Sequence, residues 1–143
     1  MLTKDTLAEM LADELRITKH IHSKFPRERI SYRPSPEQRS ALELARYLAT
    51  CGVSPVLAAV DGNRVRSGKW AEEVNAMTWE QLPAAYDKAA RMIRAELSSL
   101  SSADFYNKQV DPGNGTKRTP QEWALLGSLR YLAAYRLQLF LYA

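Results

Sequence analysis

The sequence has little that would suit an oxidising or a membrane environment. Among its 143 residues there is one cysteine, Cys51, which cannot form a disulfide within the chain and so fits a reducing compartment. No run approaches the roughly 18 uncharged apolar residues of a membrane span, since the most apolar stretch, residues 131–143, is interrupted by Arg136. The first residues include an acid, Asp5, and lack the apolar core of a signal peptide. We therefore expect a cytoplasmic protein without a membrane partner.

Signals for strands, repeats and nucleotide-binding loops are also scarce. Valine and isoleucine are sparse, and no two alternating segments are joined by a tight turn. No internal repeat is present, and neither residues 61–63 nor residues 114–115 have the spacing of a phosphate-cradling loop. Hydrophobic residues make up 45% and charged residues 25%, which is ordinary for a globular domain. The length suits one core, so we expect a single domain over residues 1–143.

The charge balance is basic but lacks a nucleic-acid-binding patch. Twenty lysines and arginines against 16 acidic residues give a net charge of +4 and a pI near 9.3. The densest basic region, between Lys19 and Arg33, is interrupted by Glu28 and contains no recognisable binding motif. A solvated helix end and loop explain it, because cations suit a helix C-terminus. Contact with DNA or RNA is kept only as a minor alternative.

Capping chemistry marks three helix starts. Ser35, Thr78 and Thr119 each stand three residues before a glutamate or glutamine. The hydroxyl can accept from the third backbone N–H, while the longer side chain reaches back to the capping residue. Pro36 and Pro120 occupy first helical positions, where a missing N–H costs nothing.

Apolar residues at spacings of three and four predict four long helices. The first ends at Phe25-Pro26, because proline disfavours helical geometry in the preceding residue. The second stops before Gly52. The predicted helices cover residues 3–23, 36–51, 79–98 and 120–142, with a short accessory helical segment between residues 53 and 77. This pattern predicts an all-α fold, a four-helix bundle.

Two regions resemble the DinB/YfiT-like superfamily of four-helix bundles. Residues 30–49 contain Tyr-Arg-Pro at 32–34 ahead of a Ser-x-x-Glu-Leu run, similar to that family's loop into helix two. Residues 119–138 end in Tyr-Arg-Leu-Gln, similar to a closing helix with the pattern His-x-x-x-His-Arg-Gly-Gln, although Leu137 replaces the glycine. The resemblance spans nearly the whole chain and implies a DinB-like bundle with the accessory segment between helices two and three.

The resemblance also assigns positions to a metal site. Metal-binding members use three histidines, one on helix two and two on the last helix, and these positions fall on Tyr47, Tyr131 and Tyr135. Neutral phenols, with pKa values of about 10, are poor ligands for zinc or nickel. The two histidines of the chain, His20 and His22, are two residues apart and so do not converge on a helix. We therefore expect no metal cofactor.

The tyrosines allow two interpretations. Tyr131, Tyr135, Gln138 and Tyr142 share one helix face, and Tyr47 faces its middle if helix two packs as in the family. One interpretation is a polar-lined cavity that binds a small ligand through the phenol hydroxyls and Gln138. The other is that the rings fill the space of the metal and hydrogen-bond one another. In both, Tyr47, Tyr131 and Tyr135 lie close together in the bundle interior, with bonded hydroxyls.

Other candidate chemistry has simpler explanations. Cys51 could be a nucleophile, but no histidine lies nearby in sequence, and a small core residue is the favoured interpretation. Trp70, Trp79 and Trp123 are expected to pack in a core or an interface.

Two functions from different classes remain. The first is a DinB-like protein that has lost its metal site and acts as a small-ligand-binding or structural and interaction protein. The second resembles the family's metal-dependent hydrolases and thiol S-transferases, with a replacement site. The family resemblance also implies a homodimer. Consecutive helix residues step about 100°, so one helix face cannot bury the apolar residues Leu137, Leu139, Phe140 and Leu141 together. We expect part of this surface to meet another segment or another subunit.

Overall fold

The computed structural model describes residues 2–143 and is built from helices. They are α1 (Lys4–Lys24), α2 (Ala41–Cys51), α3 (Ser54–Asp61), α4 (Val65–Asn75), α5 (Leu82–Ser99) and α6 (Ser102–Asn107), followed by a continuous last helix over residues 120–142. Short 3₁₀ turns occupy Arg27–Arg29 and Trp79–Gln81. Within residues 2–143 no strand forms, and the only β-type pairing is an isolated antiparallel bridge between Val110 and Arg118. The predicted all-α fold is confirmed.

Four of these helices form the bundle. α1 packs along α5, α2 packs against the last helix and α5, and the last helix also contacts α1. Apolar residues three and four apart lie on the same face of each helix. These apolar faces meet in one continuous core. The leucines at its centre are fully buried and include Leu11, Leu44, Leu82 and Leu132. Each such side chain contributes about 1.5–3 kcal/mol through its removal from water.

Two of the predicted helix starts carry their expected caps, and one does not. The backbone N–H of Thr78 donates to Gln81 at 2.8 Å, and that of Glu122 donates to Oγ1 of Thr119 at 3.2 Å. The start at Ser35 is wrong, because α2 begins after Ser40, whose Oγ accepts from the Glu43 N–H at 3.2 Å. Residues 37–40 are all polar or charged, so packing favours the later of the two caps.

Two regions contain more helix than the sequence indicated. The accessory segment between α2 and α5 holds two helices, α3 and α4, which pack on each other. Gly62 separates them in a left-handed conformation, with φ of 74°. α6 was not predicted, although Ser101 caps it by accepting from the Asp104 N–H at 3.0 Å.

The last helix changes its hydrogen-bonding pattern along its length. It starts as α7 (Pro120–Glu122), continues as a π-helical segment (Trp123–Leu129) and ends as α8 (Arg130–Tyr142). The Arg130 N–H donates to the carbonyl of Leu125, five residues back, which is the π pattern. π-helical turns are rare and frequently occur at functional sites.

Within residues 2–143, no helix combines the length and the apolar character that crossing a bilayer requires.

Candidate functional site

The structure brings the three sequence-predicted tyrosines together. The rings of Tyr47 on α2 and Tyr135 on α8 meet edge to face, with centroids 5.0 Å apart. Tyr131, one turn before Tyr135, is stacked beside it at 6.2 Å with an angle of 20° between the planes. The four-residue spacing and the packing of α2 on α8 thus produce a contiguous aromatic cluster, as predicted.

The expectation that this cluster lies in the bundle interior is wrong, and among the described residues the expected hydroxyl bond is found at Tyr131 alone. Tyr131 is 39% exposed, and Tyr47 and Tyr135 are only half-buried. Within the described chain no hydrogen bond joins the hydroxyls of these tyrosines, and the Tyr131 hydroxyl instead accepts from Nη2 of Arg130 at 3.1 Å. Arg39 lies over the rings of Tyr47 and Tyr135, with Cζ 4.0 and 5.5 Å from their centroids. The face of an aromatic ring attracts cations and the edges of other rings. Contacts of these two kinds therefore hold the cluster together.

Gln138, the fourth residue of the predicted site, bonds to Tyr142 rather than to the three clustered tyrosines. Its Nε2 donates to the hydroxyl of Tyr142 at 2.9 Å, and that hydroxyl donates to the carbonyl of Arg39 at 3.1 Å. The chain of bonds ties the end of α8 to the segment before α2. Gln138 therefore bonds to Tyr142, which in turn bonds to the backbone of Arg39.

A cleft of about 400 Å³ opens beside the tyrosines. Tyr47 and Tyr131 line it, whereas Tyr135 and Gln138 do not. The other lining residues are polar or aromatic groups and small side chains from α2, α3, the loop before the last helix, and the π-helical segment; they include Thr50, Cys51, Ser54, Pro55, Asn114, Thr116, Arg118, Trp123 and Arg130. A volume in this range is typical of sites for small molecules.

The loop that forms one wall of the cleft is held by Asp111. Its Oδ1 accepts from the backbone N–H groups of Gly113, Asn114 and Gly115 at 2.8, 3.0 and 3.1 Å. These bonds, that to Gly113 foremost, lower the pKa of Asp111. Asn114 in turn accepts from the Thr116 N–H at 3.0 Å. The wall is therefore organised by its own hydrogen bonds.

Val110 joins this loop to the π-helical segment. Its N–H donates to the Arg118 carbonyl at 2.9 Å, and its own carbonyl accepts from the Arg118 N–H at 3.1 Å and from Nε1 of Trp123 at 3.0 Å. The Arg118 guanidinium lies over the indole, with Cζ 5.0 Å from the ring. On the opposite side, a Cβ at Gly127 would lie only 3.0 Å from Cβ of Pro55, so a glycine permits the last helix to approach α3.

The sequence interpretation missed the arginines and the loop that complete this cleft. Arg118, Asn114 and Thr116 lie in a segment without helical periodicity, so nothing in the spacing placed them opposite Tyr47. Arg130 directly precedes Tyr131, and its guanidinium lies over that ring at 4.8 Å. This arginine directly before an aromatic residue was the signal in the sequence that could have indicated a guanidinium beside the cleft.

Cys51 lines the cleft as an unreactive thiol. It is buried, and this burial raises the pKa of its thiol to about 12. The side chain therefore stays protonated near neutral pH, and only a thiolate is an effective nucleophile or metal ligand.

The residues that the sequence resemblance assigns to a metal site do not fit a divalent metal. Burial raises the pKa of Tyr47 above its ordinary value, which makes the phenolate harder to form. Arg39 and Arg130 place positive charge against the rings where a cation would bind. Within residues 2–143, no three His, Cys, Asp or Glu side chains are grouped so that they could hold a metal ion.

Comparison with solved structures identifies the fold. A DinB-like protein of Bacillus subtilis, YjoA, matches with a TM-score of 0.75 at 19% sequence identity, over 95% of this chain and 87% of that chain. No protein-family model and no curated protein matches the sequence. The chain has the all-α fold of a DinB-like protein, as the resemblance of residues 30–49 and 119–138 predicted.

Proposed function

We propose that this protein is a DinB-like single domain over residues 1–143 that binds a small molecule in the cleft beside Tyr47 and Tyr131, without the metal centre that the family resemblance implies. The observation that carries the proposal is the cleft itself, about 400 Å³ in volume and formed where α2, α3, the loop and the π-helical segment meet. Its lining combines aromatic faces with a few hydroxyl, amide and guanidinium donors, the usual composition of a binding site.

The donor chemistry favours ligand binding over the metal-dependent enzyme. Burial raises the pKa of Tyr47 and raises that of the Cys51 thiol to about 12, and arginine side chains lie over the rings of Tyr47, Tyr131 and Tyr135. Neither Tyr47 nor Cys51 supplies an ionised ligand or an activated nucleophile at neutral pH. Phenols and stacked guanidinium groups instead supply hydrogen-bond donors and flat surfaces, which hold a ligand without reacting with it.

The test is a fragment screen on the ¹⁵N-labelled protein, in which binding is detected through changes in amide and indole chemical shifts. We expect hits that shift the Trp123 indole signal and the signals of Arg118 and Tyr131. Tyr131→Ala should weaken these hits, whereas Tyr32→Ala should leave them unchanged. The two tyrosines are equally exposed, at 39% each, but Tyr32 does not line the cleft. Hits that map elsewhere, or that respond equally to both substitutions, would contradict the proposal.

Metal analysis of the purified protein separates the proposal from the metal-dependent enzyme. We expect less than stoichiometric zinc, nickel, iron or manganese after dialysis. Tyr47→His, Tyr131→His and Tyr135→His combined should restore a family-like donor set and with it metal binding, since three imidazoles suit a divalent ion. A stoichiometric metal in the unsubstituted protein that survives dialysis would overturn the choice.

We also propose that the protein is a cytoplasmic homodimer. On α8, Leu137, Phe140 and Leu141 are 51%, 59% and 70% exposed, so the apolar chain end stays uncovered in one copy. Covering it with a second copy would remove this surface from water. Light scattering should give twice the mass of one chain, and Leu141→Lys should lower the measured mass to that of a single chain. The matched change Val65→Lys, at an isolated exposed residue of α4, should have no effect. A single-chain mass at micromolar concentration would refute the dimer.

A further inference from the structure

Two arginines face the cleft without an acidic partner. Within residues 2–143, ion pairs join the guanidinium groups of Arg66, Arg94 and Arg136 to carboxylates. Neither Arg118 nor Arg130 has a carboxylate in such a pair, and none of the side chains that line the cleft in this part of the chain is acidic. The cleft therefore holds positive charge that the protein itself does not neutralise.

Both guanidinium groups lie over aromatic rings. The Cζ atom of Arg118 is 5.0 Å from the ring centroid of Trp123, and that of Arg130 is 4.8 Å from the ring centroid of Tyr131. The planar guanidinium fork can bind two oxygens of one anion. Arg130 uses Nη2 for the Tyr131 hydroxyl, which leaves its other donors available.

Val110 fixes both the backbone of Arg118 and the ring beneath its side chain. The Arg118 backbone is paired with Val110 in both directions, and the indole beneath the Arg118 guanidinium is bonded to the same Val110 carbonyl. The one carboxylate of the adjoining loop, Asp111, accepts three backbone N–H groups and does not line the cleft. Preorganised donors lose less entropy on binding, so they raise affinity for a ligand of matching charge.

We propose that the cleft binds small anions that combine a carboxylate or phosphate group with a flat apolar part. Arg118 and Arg130 bind the oxygens, while the hydroxyl and amide groups of Thr50, Asn114 and Thr116 supply further donors. The rings of Trp123 and Tyr131 contact the flat part. The inference rests on the proposed function, because it names the class of molecule that the same cleft binds. A cleft of about 400 Å³ has the size of a site for a small molecule rather than for a nucleic-acid backbone.

The experiment uses three probes of similar shape: phenyl phosphate, benzoate and the neutral benzyl alcohol. Each is titrated into the full-length ¹⁵N-labelled protein in a buffer without phosphate or carboxylate, and the Trp123 indole signal reports binding. We expect phenyl phosphate or benzoate to bind at least tenfold more tightly than benzyl alcohol, and the ratio of the two anions distinguishes a phosphate site from a carboxylate site. Rising salt should weaken the anions only.

Variants connect the binding to the arginines. Arg118→Gln and Arg130→Gln should each weaken the anions at least fivefold and leave benzyl alcohol unchanged. Arg91→Gln removes the same charge from an exposed position on α5 and should have no effect. Equal binding of all three probes at Trp123 would overturn the anion inference and leave the proposed function intact. No shift of cleft signals with these probes, together with a fragment screen that yields no cleft hit, would overturn both.

Discussion

Acid should weaken the fold through His22, which is buried on α1 in its neutral form. The side chain is 5% exposed and stacks on Trp79 with ring centroids 3.9 Å apart. Its Nδ1 lies 3.1 Å from the hydroxyl of Tyr86, and its Nε2 has no hydrogen-bond partner within the described residues. A proton on this ring would place an unpaired charge in the core, so burial lowers the pKa of His22 to about 4.

The magnitude follows from the difference between the two states. The unfolded chain takes up a proton on His22 below about pH 6.5, whereas the folded protein does so only near pH 4. Falling pH therefore favours the unfolded state progressively between these values. The gap of about 2.5 pH units, at about 1.36 kcal/mol each, gives about 3 kcal/mol of unfolding free energy. This contribution is complete above pH 6.5 and lost by pH 4, a large part of the usual 5–15 kcal/mol or so.

Urea unfolding followed by circular dichroism at a series of pH values measures this loss. His22→Phe keeps a ring against Trp79 but cannot be protonated, so its stability should fall by about 3 kcal/mol less than that of the unsubstituted protein between pH 6.5 and 4. His20→Phe, at an exposed position on the same helix, should leave the pH dependence unchanged. Because the same carboxylates titrate in the unsubstituted protein and in His22→Phe, the difference between their pH profiles isolates the contribution of His22. Parallel pH profiles for the unsubstituted protein and His22→Phe would refute the reasoning.

Three further perturbations test the packing around the cleft and the last helix. Cys51, whose pKa burial raises to about 12, should react with a thiol reagent only as fast as the protein opens, and fast labelling of the folded protein would contradict this. Ser128→Ala should raise the free energy of unfolding by about 1 kcal/mol, because Oγ is buried without a hydrogen-bond partner; a loss of stability in urea would contradict it. Gly52→Ala should lower that free energy by about 1–3 kcal/mol, because the new Cβ would lie 2.9 Å from Cδ2 of the buried Leu132. Gly68→Ala, in open space on α4, should instead raise it by up to about 1 kcal/mol, and equal effects at both glycines would refute the steric argument.

The bundle could be predicted because its signals are local and repeated. Apolar spacing and the caps at Thr78 and Thr119 mark α5 and the last helix. Ser35 and Ser40 carry the same capping pattern, and only the apolar run that follows Ser40 decides between them. Helix starts are therefore predictable where a cap adjoins an apolar face, and ambiguous where two caps compete.

The cleft could be predicted only in part, because its walls come from distant parts of the chain. Helical spacing placed Tyr131 and Tyr135 together, but it could not show that Arg39 lies over the rings of Tyr47 and Tyr135. The π-helical segment also lies outside a 3.6-residue period, so the side that Trp123 presents was not predictable from spacing. Arg118 faces the cleft through pairing with Val110, which no local pattern indicates.

Binding of an anion without a metal is tested most directly by a titration of phenyl phosphate into protein that has been stripped of metal with EDTA and dialysed free of the chelator, and then by the same titration with added Zn²⁺. The Trp123 indole signal reports the occupied cleft, since its Nε1 is fixed on Val110 beside Arg118. We predict saturable binding to the stripped protein, with the same affinity after Zn²⁺ is added. Binding that is absent from the stripped protein and is created by Zn²⁺ would contradict the metal-free cleft.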